Sequence, residues 1–146
     1  MLTRECAGGV VFQDDQVFIL KNDKDEWVLP KGVVRNKEIA LDVAMQRVKD
    51  EAGIEAQVIS PAGETSYEFY SYSRNKPVCN KIDWFIMQAI DNNISVNKEE
   101  GFVEGGFFPI EEALEKITYS QDKSIVRLAY RKYVYFRDEE VQTTVS

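Results

Sequence analysis

The chain has 146 residues, a formal net charge of −7 and no histidine. Its length suits one domain with one main core, and its 44% hydrophobic and 29% charged residues are ordinary for a globular protein. The negative charge argues against binding a nucleic-acid duplex, which requires a basic surface. Without histidine, any catalytic acid, base or metal ligand must come from Asp, Glu, Lys, Tyr or the backbone.

The chain shows no sign of a membrane segment or a disulfide framework. Its apolar stretches, such as residues 8–12 and 17–20, are too short to span a bilayer, and its N-terminus lacks the features of a signal peptide. Cys6 and Cys79 have no metal-type spacing, so we expect two reduced core thiols. These observations predict a cytoplasmic protein, monomeric or homodimeric, with no membrane partner.

The first third of the chain predicts short strands. Two β-branched and aromatic runs, residues 5–12 and 16–20, flank Gln13-Asp14-Asp15, which indicates two strands around a tight turn. A third short strand is expected over residues 27–29, and it stops at Pro30. A loop beginning at Lys31-Gly32 is predicted to follow.

A helix is predicted over residues 38–52, ending at Gly53, which is a good C-cap residue. Its apolar residues form one arc on a helical wheel: Ala40, Leu41, Ala44, Met45, Val48 and Ala52. Glu51 falls inside this arc, so its carboxylate is predicted to face the protein interior. An unpaired buried carboxylate costs on the order of several kcal/mol, so a metal ion or a cationic side chain is expected beside it.

Downstream of this helix the sequence predicts more strands and two terminal helices. The strands are expected at residues 56–59, 64–73, 81–90 and 105–108, and the helices at residues 109–116 and 120–133. Strands interrupted by one central helix and followed by terminal helices suggest an α/β (α+β) fold with a mixed sheet between helices. We predict a single domain over residues 1–146, with a tail after about residue 137 that the pattern leaves open to flexibility.

The segment over residues 32–54 carries a spaced set of glycines and carboxylates. It follows the pattern Gly, five residues, Glu, seven residues, then Arg-Glu-aliphatic-any-Glu-Glu-any-Gly-aliphatic at six positions: Gly32, Glu38, Val48, Glu51, Gly53 and Ile54. Asp50 replaces the first Glu of the final pair and keeps its charge. Gln46 stands where Arg is expected, and Arg47 stands where Glu is expected. The segment therefore resembles the Nudix box with two departures.

The wider sequence is similar to one branch of the Nudix family. Residues 8–12, 17–21 and 27–32 before the box, and residues 84–87 and 106–113 after it, resemble the diadenosine polyphosphate and diphosphoinositol polyphosphate hydrolases. The resemblance covers roughly residues 5–117. It implies a Nudix-type α/β/α sandwich around a mixed β-sheet, and a phosphorylated small molecule as the substrate.

The chemistry of the box explains its spacing. Asp50 and Glu51 lie at the end of the predicted helix, and Arg47 lies on the same face. Carboxylates there can bind Mg²⁺ or Mn²⁺, which would bridge phosphate oxygens and activate water. The resemblance implies that the carbonyl of Gly32 and a Glu from a later loop complete the metal site, and Glu100 is our candidate for that Glu.

Several cations and aromatics are candidates for binding the substrate. Lys31 follows Pro30 at a motif position and is expected to hold a phosphate as a point charge. Weaker candidates for phosphate contacts, and for stacking on a base, are Lys21, Arg4, Lys81, Tyr67, Tyr70 and Tyr72. For this weaker set, ordinary surface charge and strand packing are the favoured interpretations.

The departures leave two hypotheses open. In the first, the chain is a metal-dependent hydrolase of a nucleoside-diphosphate-linked or related polyphosphate, with Glu51, Asp50 and Arg47 as catalytic residues. Its activity is expected to be weak, because Arg47 competes with the metal and Gln46 removes a cation that would orient Glu38. In the second, the domain binds a phosphorylated nucleotide without cleaving it, as a sensor or interaction module. A third interpretation, an ordinary solvated helix end, leaves the inward position of Glu51 unexplained.

Overall fold

The computed structural model describes the backbone of residues 1–145 and the side chains of residues 1–139. Within this range the strands are β1 Leu2–Gln13, β2 Gln16–Asn22, β3 Trp27–Val28, β4 Lys31–Val33, β5 Ala56–Ser71, β6 Lys76–Ala89 and β7 Phe102–Pro109. The helices are α1 Ala40–Ala52, α2 Ile110–Lys116 and α3 Ser120–Val145, and a short 3₁₀ helix spans Lys98–Glu100. None of the helices in this range is long and apolar enough to cross a bilayer.

The seven strands form one mixed sheet. Its main path runs β3-β2-β1-β6-β5, and in addition β4 pairs with β1 and β7 pairs with β2. β1 and β6 are parallel from Leu2↔Val78 to Phe12↔Gln88, whereas the other pairs are antiparallel. The predicted mixed sheet is therefore confirmed.

The core has two layers, one on each face of the sheet. One layer packs α1 against the sheet through Val43, Ala44, Val48 and Ala52. The other packs α2 and α3 through residues that include Ala113, Ile117, Val126 and Ala129. Because both faces of β1 are covered, its residues 6–12 are all buried and read as a continuous apolar run. This arrangement is the predicted α/β/α sandwich.

Helix α1 ends as predicted but faces the sheet differently. Gly53 adopts the left-handed conformation, with φ 67° and ψ 21°, and its N–H donates to the carbonyl of Lys49. The placement of Met45 in the buried arc was wrong, since its side chain is 41% exposed, and Val43 is buried instead. The buried face of α1 includes Glu51, whose carboxylate is paired with Arg47.

Several other boundaries differ from the prediction, including the start of β6 at Lys76, which was predicted at residue 81. Residues 56–59 and 64–73 were predicted as separate strands, but β5 is continuous, and irregularities between Val58 and Ser60 and between Pro61 and Gly63 absorb the break. The loop predicted after Pro30 contains the three-residue strand β4, which is too short to give a pattern. Helix α3 extends beyond residue 133 to Val145; the side chains beyond residue 139 of the predicted tail lie outside the described residues.

Candidate active site

A cleft of about 850 Å³ opens at one end of the sheet. Its walls come from the turn after β2, the strand β4, the end of α1, the strand β5, the 3₁₀ helix and the start of α3. Five side chains predicted to be functional line it: Lys31, Arg47, Glu51, Tyr67 and Glu100. The fold therefore brings together residues that are up to 69 positions apart, from Lys31 to Glu100.

The inner end of the cleft is built around an arginine between two carboxylates. Arg47 Nε donates to Glu51 Oε2 at 2.7 Å, and a terminal nitrogen of the same guanidinium lies 3.1 Å from Glu100 Oε2. Glu51 is only 2% exposed, whereas the side chain of Glu100 is 43% exposed. The inward position that the sequence predicts for Glu51 is confirmed, and the expected partner is a cationic side chain.

Local packing fixes this arginine. Arg47 and Glu51 are four residues apart on α1, so they lie on one face of the helix. The stem of Arg47 crosses the backbone of β4 at Gly32, where an added Cβ would lie 2.7 Å from both Cγ and Cδ of Arg47. A glycine at position 32 therefore leaves the room that the arginine occupies.

The segment after β6 delivers Glu100 to the arginine. The backbone N–H groups of Ser95 and Asn97 donate to the carbonyls of Ala52 and Glu51, at 2.7 and 3.0 Å. The side-chain amide of Asn97 also donates to the carbonyl of Asp50 at 3.1 Å. These bonds attach the loop to the last turn of α1, so the 3₁₀ helix that carries Glu100 starts beside the cleft.

The electrostatics of Glu51 are set by burial. Burial raises the pKa of Glu51 to about 7, while the charges of Arg47 and Lys31 act in the opposite direction. Burial alone would lower the pKa of Arg47, but the Glu51 carboxylate raises it, so the arginine stays charged. Glu51 is therefore a carboxylate that can gain or lose a proton near neutral pH.

The other motif carboxylates lie away from this pair. Asp50 is exposed on the outer side of α1, where Gln46 Nε2 donates to it at 2.8 Å. Glu38 is also exposed and accepts from the backbone N–H of Arg35 at 2.7 Å. Neither lines the cleft. The predicted grouping of Asp50 with Glu51 around one ion is thus not assembled in this structure.

The residues at the inner end do not fit a resident divalent ion. Such an ion needs several oxygen ligands around one point, but the guanidinium of Arg47 lies between Glu51 and Glu100. In the part of the chain that the structure describes, no group of three or more Cys, Asp or Glu side chains is placed to hold a metal. The predicted metal set of Gly32, Asp50, Glu51 and Glu100 therefore remains a prediction, to be tested by metal binding.

Lys31 is the second cation of the cleft. Its charge acts on the pKa values of Glu51 and Asp122, and it forms no ion pair within the described part of the chain. An unpaired ammonium group in a cleft is suited to bind an anionic ligand.

The weaker cation candidates lie outside the cleft walls. Lys21 is paired with Asp25 at 3.3 Å, and Arg4 donates to Asn80 Oδ1 at 2.9 Å. Lys81 is exposed on β6. Contacts of these three side chains with a substrate stay a prediction.

Three aromatic side chains also line the cleft. Tyr67 lines it as predicted, together with Phe69 and Tyr119. Tyr70 and Tyr72 lie outside the walls and pack on each other with ring centroids 5.2 Å apart. Phe69 was missed, although its position two residues after Tyr67 on one strand gives the signal, because such residues share a face.

Asp122 is a further cleft residue that the sequence did not reveal. It lies in the first turn of α3, it is 4% exposed, and it lines the cleft. Burial raises its pKa, and the charge of Lys31 opposes this. The structure gives its carboxylate no hydrogen bond from any described residue. An Asp in the first turn of a helix is ordinary for its position, so its sequence gave no reason to select it.

The match to known proteins now identifies the family. Residues 2–129 match the NUDIX domain model, and the chain belongs to this family. It is 34% identical over 103 residues to an RNA pyrophosphohydrolase of Ruthia magnifica subsp. Calyptogena magnifica, covering 61% of this chain and 58% of that protein. The chain spans little more than half the length of the curated relatives it matches.

Solved structures agree on the fold. The binary complex of the C. elegans Ap4A hydrolase matches with a TM-score of 0.67 and 17% identity, over 90% of this chain and 98% of that one. The E. coli dihydroneopterin triphosphate pyrophosphohydrolase matches with a TM-score of 0.69 and 17% identity, over 86% and 95%. These similarities establish the Nudix fold. Nudix hydrolases generally use divalent metal ions, whereas in this structure the guanidinium of Arg47 lies between Glu51 and Glu100.

Proposed function

We propose that this chain hydrolyses a phosphoric anhydride bond in a nucleoside-diphosphate-linked or related polyphosphate substrate. The observation that carries the proposal is the buried Glu51 at the inner end of the cleft, beside the cations Arg47 and Lys31. Membership of the NUDIX family and the similarity to an RNA pyrophosphohydrolase support the same reaction class.

The reaction requires a base and positive charge at the phosphates. A water molecule attacks phosphorus, Glu51 accepts its proton, and the bond from phosphorus to the bridging oxygen breaks, so that the leaving phosphate carries the electron pair. A pKa of about 7 suits a general base at neutral pH. Arg47 and Lys31 stabilise the negative charge that develops on the phosphate oxygens.

The charged side chains that line the cleft favour one place for the phosphates of a substrate. The cleft walls include three cationic side chains, Lys24, Lys31 and Arg47, and six acidic ones, Asp23, Glu26, Glu51, Glu68, Glu100 and Asp122. A polyphosphate is therefore repelled by most of the rim and attracted mainly near Lys31 and Arg47, because Lys24 is exposed between Asp23 and Asp25. A divalent ion that enters with the polyphosphate, as part of the substrate, would offset the acidic rim.

The aromatic side chains of the cleft suit the nucleoside end of the substrate. Tyr67, Phe69 and Tyr119 offer faces on which a base can stack. The Asp122 carboxylate is an acceptor without a partner, so it fits a hydrogen-bond donor such as a ribose hydroxyl or an exocyclic amine. The hydrogen bond between Tyr119 and Glu26 holds the tyrosine at the edge of this region and lowers the pKa of Glu26.

Binding without cleavage is the second candidate function. The observation that favours it is the pairing of Arg47 with both Glu51 and Glu100, which reduces the basicity that Glu51 has for a water proton. For the same reason, we expect the hydrolase to be weak.

The test is an assay of the purified chain against dinucleoside polyphosphates, nucleoside triphosphates and diphosphoinositol phosphates, with Mg²⁺ or Mn²⁺ and in chelator. Glu51→Gln removes the proposed base, and Glu55→Gln is the matched control, because Glu55 pairs with Lys49 and lies outside the cleft. Turnover that Glu51→Gln abolishes and Glu55→Gln retains supports the hydrolase. Absence of turnover across the panel, with retained ligand binding, favours the binding module.

A further inference from the structure

Arg47 lies where an ion shared by Glu51 and Glu100 would have to bind. Its guanidinium contacts both carboxylates, at 2.7 Å and 3.1 Å. A divalent ion that used both oxygens would therefore have to displace the guanidinium, because two cations at one point repel each other strongly.

The structure opposes such a displacement. Glu51 is buried, and Arg47 is the only described residue that donates a hydrogen bond to its carboxylate. An ion that replaced Arg47 at this buried carboxylate would have to lose part of its hydration shell, which divalent ions such as Mg²⁺ do reluctantly. The stem of Arg47 also packs closely on the backbone at Gly32, which limits its movement on the side of β4.

The remaining motif carboxylate does not compensate. Asp50 neighbours Glu51 in sequence but lies on the exposed side of α1, bonded to Gln46. A divalent ion at the inner end would therefore have at most Glu51 and Glu100 as carboxylate ligands, and both are already bonded to the positively charged guanidinium of Arg47.

We propose that Arg47 is a built-in cation that replaces the divalent ion at the inner end of the cleft, so that Arg47 and Lys31 bind phosphate without a resident metal. The guanidinium uses two donors on Glu51 and Glu100, and its other N–H groups remain for phosphate oxygens. This proposal rests on the phosphate position in the proposed function and does not depend on cleavage of the bond.

The first experiment measures Mn²⁺ binding by electron paramagnetic resonance. The wild type is compared with Arg47→Glu, which places a third carboxylate beside Glu51 and Glu100. The matched control is Lys49→Glu, which makes the same change of charge on the same helix but outside the cleft. We expect Arg47→Glu to bind Mn²⁺ at least about tenfold more tightly than the wild type or the control, and the added mutation Glu51→Gln to abolish the gain.

The second experiment measures pyrophosphate binding by calorimetry in the presence of EDTA. The wild type is expected to bind, and Arg47→Gln, which keeps a neutral hydrogen-bonding side chain, is expected to bind at least about tenfold more weakly. Thermal melts of each variant establish that it folds. The Arg47→Gln result keeps the test decisive if Arg47→Glu does not fold.

The outcomes separate this proposal from the proposed function. Tight Mn²⁺ binding by the wild type that Glu51→Gln abolishes, pyrophosphate binding that requires a divalent ion, or a folded Arg47→Glu without gained Mn²⁺ affinity would each overturn it. Turnover of the substrate panel would still support the hydrolase in those cases. Conversely, pyrophosphate binding in EDTA without any turnover supports the built-in cation and contradicts the hydrolase.

Discussion

The two buried acidic residues of the described chain, Glu51 and Asp122, line the same cleft from different helices, α1 and α3. Glu51 lies in the last turn of α1 and accepts a hydrogen bond from Arg47 at 2.7 Å. Asp122 lies in the first turn of α3, and its carboxylate accepts no hydrogen bond from a described residue. The charge of Lys31 lowers its pKa, against the effect of burial. Burial raises both pKa values, but the fold supplies a direct partner to one carboxylate and leaves the other to a ligand.

This difference separates two uses of a buried charge. A paired carboxylate is held in a fixed position, which suits a group that must act on a water molecule at one point. A buried carboxylate without a partner lowers the stability of the free protein. Its oxygens remain able to accept hydrogen bonds from a ligand, and those bonds then contribute to binding. The comparison predicts that mutations at the two positions affect different quantities.

The largest effect is expected at the paired carboxylate. Glu51→Gln removes the proposed base and should lower the rate of hydrolysis by about 10²–10⁴-fold, the usual contribution of a general base. Asp50→Asn, at the neighbouring exposed position, should lower it much less. Steady-state kinetics on the best substrate of the panel measure both, and equal losses at the two positions would contradict the structural distinction.

Ionisation of Glu51 should change the rate of hydrolysis and the free energy of unfolding in opposite directions as the pH rises. The rate should rise as the pH passes about 7, because Glu51 must lose its proton to act as a base. The free energy of unfolding should fall by roughly 3 kcal/mol as the pH rises from about 4.5 to about 7, because the carboxylate ionises at lower pH in the unfolded chain than in the folded one. Urea titrations of the wild type and Glu51→Gln across this range check the sign, and an unchanged slope in the variant would contradict it.

A matched pair of glycine mutations tests whether the packing at Gly32 holds Arg47 in place. Gly32→Ala places a Cβ 2.7 Å from Cγ and Cδ of Arg47, whereas at Gly106 the nearest contact is an ordinary 3.6 Å. We expect Gly32→Ala to cost about 1–3 kcal/mol of folding stability and to weaken pyrophosphate binding. Gly106→Ala should change pyrophosphate binding little, and equal losses of binding in the two variants would show that Gly32 has no special relation to Arg47.

For pyrophosphate binding, a lysine in the cleft should matter more than a lysine elsewhere on the surface. Lys31→Ala removes the unpaired ammonium and should weaken pyrophosphate binding by about tenfold. Lys81→Ala removes an exposed lysine outside the walls, and its effect should be within about twofold. Calorimetric titrations with pyrophosphate compare them, and a larger loss at Lys81 would relocate the phosphate site.

The smallest effect, with the opposite sign for stability, is expected at the unpaired carboxylate. Asp122→Asn should raise the free energy of unfolding at pH 7 by about 1 kcal/mol, because the buried charge is removed. Since the pKa of Asp122 is raised, the gain should shrink as the pH falls toward its ordinary value of 3.8. The affinity for a nucleotide should fall at the same time. Urea titrations and nucleotide binding measure the two quantities, and a loss of stability at pH 7 would show that Asp122 has a structural partner.

The sequence predicted the parts of this molecule that depend on local pattern. The strands of the sheet, the end of α1 at Gly53 and the inward position of Glu51 follow from periodicity and motif spacing. The sequence also predicted that Arg47 would act on the carboxylates near it. Its contact with Glu100, 53 residues away, required the fold.

The unpredicted parts depend on how distant segments meet. Strand β4 exists because Lys31–Val33 lies beside residues 6–8 of β1, a pairing that three residues cannot signal. Met45 was misplaced because the helical wheel does not show which edge of the apolar arc the sheet covers, and the packing of α1 buries Val43 instead. Asp122 was missed because its role arises from the wall that α3 forms against Lys31 and Tyr67.

The loop after β6 stabilises the C-terminal end of α1. The C-terminal end of a helix carries a partial negative charge, so the carboxylates of Asp50 and Glu51 are unfavourably placed there. The N–H groups of Ser95 and Asn97 donate to the last carbonyls and offset this. We therefore expect the loop and the end of α1 to unfold locally as one unit, which amide hydrogen exchange at Ser95 and Asn97 would measure.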